Sequence, residues 1–66
     1  MGKVLEQYYD YAKNKGAFVL RMRLSLKTGW STARVRSLTD SKVNIKKVRD
    51  ALIELLGTKD IPNFEE

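Results

Sequence analysis

The chain has 66 residues and 42% hydrophobic content, which suits one small globular domain that buries only about 60% of its unfolded surface. It contains neither cysteine nor histidine, so disulfides, thiolate metal sites and the commonest general base are excluded, and we expect no enzyme, no metal and no cofactor. The net charge is +5. No apolar run approaches the roughly 20 residues that span a bilayer, so we expect a cytoplasmic protein without a membrane anchor.

The segment 3–15 predicts the first helix. Its acidic residues come early and its lysines late, which suits the helix dipole. Apolar residues recur at helical spacing and form one stripe: Val4, Leu5, Tyr8, Tyr11 and Ala12. Tyr9 lies off the centre of this stripe and is free to lie at the surface or in an interface.

The middle of the chain fits two structures. Residues 18–26 alternate between apolar and other side chains with a period of two, which is typical of a strand. A weaker second strand beyond a Lys-Thr-Gly turn would then give a helix–β-hairpin–helix fold of the α+β class. The same residues also show helical spacings and are rich in Leu, Met, Arg and Lys, which favour helices. Period favours the strand, and local propensity favours the helix.

The segment 45–56 predicts the last helix, with Asn44 as its N-cap and Gly57 at its end. Val43 and Val48 are spaced to form a hydrophobic staple. The tail 58–66 follows, and its large apolar residues Ile61 and Phe64 either dock on the core or contact another subunit.

Charge is concentrated in one part of the chain. Residues 21–49 contain nine basic residues and one acidic residue, whereas residues 50–66 contain five acidic residues and one lysine. A basic segment within a folded domain is typical of a nucleic-acid-binding protein, although a solvated surface that keeps the protein soluble would look the same.

Residues 21–40, RMRLSLKTGWSTARVRSLTD, match a twenty-residue pattern with an apolar fourth, a small fifth, a glycine ninth and apolar tenth, fifteenth and eighteenth residues. These are Leu24, Ser25, Gly29, Trp30, Val35 and Leu38. The segment resembles the helix-turn-helix unit of the lambda repressor-like family, which includes Cro. The chain departs from the family pattern in three places. Thr28 replaces an apolar residue, Leu20 stands where a Ser or Thr cap is common, and the preceding segment GAFV, residues 16–19, is unusually apolar. The resemblance implies an all-α fold of four to five helices, with residues 1–66 as one domain.

The resemblance also implies roles for individual residues. Ser31 would cap a recognition helix that lies in the major groove of DNA. The resemblance assigns base reading to Thr32, Ala33 and Ser37. Arg36 and then Arg34 are candidates for a guanine contact, and the alternative is that both arginines contact phosphates. Phosphate contacts would come from Arg21, Arg23, Ser31, Lys42, Asn44, Lys46 and Lys47. Trp30 would anchor the recognition helix from the core side.

We therefore expect a sequence-specific regulator of transcription that binds double-stranded DNA, of the Cro type and of phage, prophage or plasmid-like origin. Domains of this size usually act as homodimers on palindromic operators, and the apolar residues available for that contact are Leu55, Ile61, Pro62 and Phe64. An antitoxin that represses its own operon belongs to the same class. The alternatives are a protein-interaction module or inhibitor with a β-hairpin, and a nonspecific basic nucleic-acid binder.

Overall fold

A computed structural model describes residues 2–65 and contains four α-helices. Their bounds are α1 Lys3–Asn14, α2 Leu20–Thr28, α3 Thr32–Arg36 and α4 Lys42–Leu56. No strand occurs in residues 2–65, so the all-α prediction is confirmed and the helix–β-hairpin–helix alternative is wrong. The physical reason is visible in α2, where Leu20 and Leu24 lie one helical turn apart and are both buried. A strand would place Met22 on the same face as this pair, whereas a helix turns it to the opposite side, and Met22 is 62% exposed.

The longest helix, α4, lies at the centre of the molecule and packs against both α1 and α2. Helix α3 packs on α2. The resulting single core contains side chains from every helix and from the tail: Leu5, Tyr8, Ala12, Ala17, Leu20, Leu24, Val35, Leu38, Ile45, Val48, Ala51, Leu52 and Ile61. No helix within residues 2–65 is long and apolar enough to cross a membrane.

The start of α4 differs from the prediction. The helix begins at Lys42, three residues earlier than expected, and Ser41 is its N-cap, because the Ser41 hydroxyl accepts a hydrogen bond from the Asn44 backbone N–H at 3.2 Å. The prediction that Asn44 is the N-cap is therefore wrong. The predicted staple is wrong as well, since Val43 lies inside the helix and is 63% exposed. A serine three residues earlier satisfies the free N–H groups equally well.

The tail turns back onto the core of its own chain. Ile61 is buried, and the Phe64 ring meets the Tyr8 ring edge-on at 4.8 Å between centroids. The Tyr8 hydroxyl accepts hydrogen bonds from Arg49 at 2.8 Å and from the Phe64 backbone N–H at 3.3 Å, while Arg49 also donates to the Pro62 carbonyl at 2.9 Å. The sequence left open whether Ile61 and Phe64 dock on the core or contact another subunit, and in the structure the tail docks on the core of its own chain.

Asp40 joins the loop before α4 to the start of α1. Its carboxylate accepts hydrogen bonds from the backbone N–H groups of Val4 at 3.1 Å and Leu5 at 3.0 Å, so it caps a helix 35 residues away in the sequence. Gly2 lies so close that an added Cβ would meet the carboxylate oxygen at 2.0 Å. Burial raises the pKa of Asp40, the hydrogen bonds from α1 lower it, and the net result is a lowered pKa.

Candidate nucleic-acid interface

The turn between α2 and α3 is held by two hydroxyl groups. Gly29 ends α2 with a φ of +79°, a left-handed conformation that favours glycine. The Ser25 hydroxyl donates to the Trp30 carbonyl at 2.6 Å. The Thr28 hydroxyl donates to the Leu24 carbonyl at 2.7 Å and accepts from the Trp30 N–H at 3.1 Å. The Thr28 hydroxyl therefore holds the turn with two hydrogen bonds.

Helix α3 buries one side chain and exposes the others. Its N-cap is Ser31, as predicted, and the Ser31 hydroxyl accepts from the Arg34 N–H at 3.2 Å. Val35 is only 1% exposed and fastens the helix to the core. The outward-facing residues are those predicted to read bases: Thr32, Ala33, Arg34, Arg36 and Ser37. A five-residue helix with a single buried anchor therefore presents a polar and basic face to solvent.

Two of these side chains already have partners within the chain. The Ser37 hydroxyl lies within hydrogen-bond distance of the Ala33 carbonyl at 3.1 Å and of the Arg34 carbonyl at 3.2 Å, so its proton is engaged and its oxygen remains free to accept. The Arg34 guanidinium lies over the Trp30 ring, 4.8 Å from the centroid. Arg36 has no such partner among the described residues, so it is the arginine of α3 that is free to extend toward a ligand.

Trp30 brings two cations from different helices together. Its ring is half-buried and packs against the core, as predicted, while the Lys47 ammonium approaches the same ring to 5.9 Å. An exposed cation–π contact contributes about 0.5–1 kcal/mol, enough to bias a side chain without fixing it. The tryptophan thus also orients Arg34 and Lys47, a role that the sequence analysis did not anticipate.

A second cluster surrounds a cavity of about 260 Å³ between the start of α2 and α3. Arg21, Thr32 and Arg36 lie beside it, together with the apolar residues Phe18, Val19, Met22 and Val35. Arg21 also lies over the Tyr9 ring, 4.2 Å from its centroid. Burial raises the pKa of the Tyr9 hydroxyl, and the charge of Arg21 opposes that effect. The fold thus brings Arg21, predicted to contact phosphate, beside two predicted base-reading residues.

Other basic residues of segment 21–49 lie outside these clusters. Lys27 forms an ion pair with Glu54 on α4. The hydrogen bond from Lys27 lowers the pKa of Glu54 against the effect of burial, and the charges of Lys27 and Arg23 lower it further. Arg49 is held by Tyr8 and Pro62. The effect on Glu54 places Arg23 near an acidic residue that is distant in the sequence.

The start of α4 contributes the remaining candidates. Lys42 and Lys46 are exposed, and Lys47 is half-buried beside Trp30. The Asn44 amide donates to the Thr39 carbonyl at 3.0 Å, which ties the loop between α3 and α4 to the helix that follows it. One hydrogen of the Asn44 amide is therefore engaged, and its second N–H and its oxygen remain for another contact.

An exposed apolar surface near Arg21, Thr32 and Arg36 was not predicted from the sequence. Phe18, Val19, Met22 and Leu26 are all more than half exposed. The available signal was the helical phase, because Val19, Met22 and Leu26 fall opposite Leu20 and Leu24 on a helix.

Comparison of the chain with protein-family models, with characterised proteins and with solved structures finds no match.

Proposed function

We propose that this protein is a sequence-specific regulator of transcription that binds double-stranded DNA through α3. The observation that carries the proposal is the asymmetry of α3, in which Val35 is buried and every other residue of the helix is exposed. In a helix-turn-helix, the second helix lies in the major groove with its first residues at the base edges. The turn at Gly29 and the buried Val35 would hold α3 in that orientation. Thr32, Ala33, Arg36 and Ser37 would then face the base edges.

The charge around α3 supports the same proposal. Arg21 and Arg36 lie at one cavity, and Arg34 and Lys47 lie at the Trp30 ring. The single acidic residue of segment 21–49, Asp40, is engaged at the start of α1. Asp10 lies near Arg21, but none of these four cations forms an ion pair within residues 2–65. Such cations suit a polyanion, and their phosphate contacts would set the register of α3 on the duplex.

The start of α4 would lie along the DNA backbone. Lys42 and Lys46 oppose the dipole of α4, a small cost that a phosphate at this helix terminus would remove. Ser31, Asn44 and Lys47 would complete the contacts with the backbone. Arg23 is assigned to the same role on the sequence resemblance alone, since the one interaction of its charge in the described fold is with Glu54.

The regulator would act as a homodimer on a palindromic operator, with a Cro-like repressor of phage, prophage or plasmid-like origin in a bacterial cytoplasm as the closest functional type. Of the four predicted dimer residues, Ile61 is buried in its own chain. The dimer contact would therefore use Leu55, Pro62 and the outer edge of Phe64, which remain at least partly accessible.

The test is a selection of binding sites from a random pool of duplex DNA at near-physiological salt. Wild type, Arg36→Ala and the matched control Lys59→Ala, which removes a cation from the tail, are compared. We expect a palindromic motif for wild type and the control. Arg36→Ala should lose discrimination at one base pair per half-site, by about 1–3 kcal/mol if the arginine binds a guanine.

Two results would contradict this proposal. Enrichment without any motif, together with a steep salt dependence, would indicate a nonspecific basic binder. An absence of enrichment by any variant would indicate that the exposed face of α3 does not bind DNA.

A further inference from the structure

An apolar stripe runs along the outer face of α2 and the turn before it. Its members are Phe18, Val19, Met22 and Leu26, with exposed fractions of 72%, 51%, 62% and 75%. Val43 on α4 is the remaining large apolar side chain that is mostly exposed in residues 2–65. Single exposed apolar residues are ordinary, but a continuous group on a domain this small marks an interaction surface.

The stripe borders the cavity of about 260 Å³ between α2 and α3, whose floor includes the buried Val35. Sites for whole small molecules usually enclose about 300–1,000 Å³, so this cavity is small for such a ligand. It has room instead for the side chains with which a peptide anchors itself in a groove. A helix laid along α2 could place further apolar residues against Met22 and Leu26.

The charges at the cavity identify the kind of peptide. Arg21 and Arg36 line it, and no acidic residue does among those described. A DNA backbone would pair with these arginines but would gain nothing from covering Phe18 and Met22. A protein segment with both apolar and acidic side chains satisfies both features.

We propose that this groove binds an acidic amphipathic helix of a partner protein, with apolar anchors on the stripe and carboxylates beside Arg21 and Arg36. Thr32 and Arg36 border the groove and belong to the proposed DNA-reading face. The partner and DNA would then exclude each other, a consequence that rests on the proposed function. The partner would release the regulator from its operator.

The direct test uses full-length protein and a synthetic helical peptide, with leucine at i, i+3, i+4 and i+7 and glutamate at the other positions. A second peptide carries lysine in place of glutamate. We expect titration calorimetry to show binding of the glutamate peptide and none of the lysine peptide. Met22→Gln should weaken binding about 10-fold, whereas Val43→Gln, which alters an equally exposed apolar residue on α4, should leave it unchanged.

The arginines are tested in the same way. Arg36→Gln should weaken the peptide complex several-fold, and Lys59→Gln, a cation of the tail, should have no effect. The side chains of Met22, Val43, Arg36 and Lys59 are exposed, so the fold should survive each change. Unchanged circular dichroism of each variant confirms this before binding is compared.

Several outcomes would overturn the proposal. These are equal binding of both peptides, equal losses in Met22→Gln and Val43→Gln, no binding of the glutamate peptide, and self-association of the protein that Met22→Gln abolishes. Competition is measured separately with the selected duplex. Peptide binding that leaves DNA binding intact would reject mutual exclusion, and peptide binding by a protein with no DNA affinity would reject the proposed function while the groove remains a peptide site.

Discussion

The rear region, α1 with the tail, and the front region, α2 with α3, use their apolar residues in opposite ways. In the rear region the aromatic rings of Tyr8 and Phe64 pack on each other, and the Tyr8 hydroxyl binds two donors. In the front region only Leu20, Leu24 and Val35 are buried, while the stripe on α2 faces solvent. Both regions therefore pack on the one core around α4, but the front region leaves the outer face of α2 uncovered and accessible to a partner.

The largest expected effect separates two neighbouring residues of α2. Leu24→Ala should lower the free energy of unfolding by about 2–5 kcal/mol, because it opens a cavity between α2 and α4. Met22→Ala, two residues away and 62% exposed, should change it by less than about 0.5 kcal/mol. Urea denaturation followed by Trp30 fluorescence measures both. Equal losses would mean that the stripe on α2 is covered in solution.

The next effect probes the rear region. Tyr8→Phe should lower the free energy of unfolding by about 1–3 kcal/mol, because the Arg49 guanidinium and the Phe64 N–H lose their shared acceptor. Tyr11→Phe is the matched control, since the Tyr11 ring also packs on Phe64 but its hydroxyl makes no hydrogen bond within residues 2–65. If both changes cost the same, the hydroxyl of Tyr8 does not hold the tail.

A third comparison sets the N-cap of α3 against that of α4. Ser41→Ala should lower the free energy of unfolding by about 1 kcal/mol, because α4 packs on both regions. Ser31→Ala should mainly increase fraying of α3, whose single anchor is Val35. Amide hydrogen exchange should then accelerate in residues 32–36 and stay unchanged in α4. Acceleration throughout the chain would show that α3 is as tightly coupled to the core as α4.

The smallest effect is a pH dependence at the junction of the two regions. The pKa of Asp40 is lowered in the folded state, so its carboxylate stabilises the fold above the ordinary pKa of about 3.9. That contribution is lost as the pH falls through this value toward the folded pKa. Asp40→Asn should therefore reduce the loss of Tm between about pH 5 and about pH 2.

Glu54 has a lowered pKa for a different reason, its ion pair with Lys27, and serves as the comparison. Because this pair is exposed, Glu54→Gln should change the pH dependence less than Asp40→Asn. A larger change from Glu54→Gln would mean that the cap on α1 is weaker than its hydrogen bonds suggest.

Part of the candidate site followed from the sequence. Gly29 at the turn, Ser31 as the cap and Val35 as the buried anchor of α3 were all predicted and are confirmed. The destination of each cation was not predictable. Lys27 and Arg49 have partners on other elements, Glu54 and Tyr8, which are far away in the chain. The charge of segment 21–49 therefore suggested more cations available to a ligand than the fold leaves unpaired.

The sequence by itself determined the features that depend on only a few neighbouring residues. These are the extent of α1, the ends of α2 and α4 at glycine, and the cap of α3. Periodicity and caps act locally, so they can be read locally. Tertiary structure decided whether residues 18–26 are helix or strand, where the tail docks and what Asp40 binds. Both local periods fitted the first of these. Burial of Leu20 and Leu24 with Met22 exposed between them distinguishes the helix from the strand, and the free energy of that burial depends on contacts between distant parts of the chain.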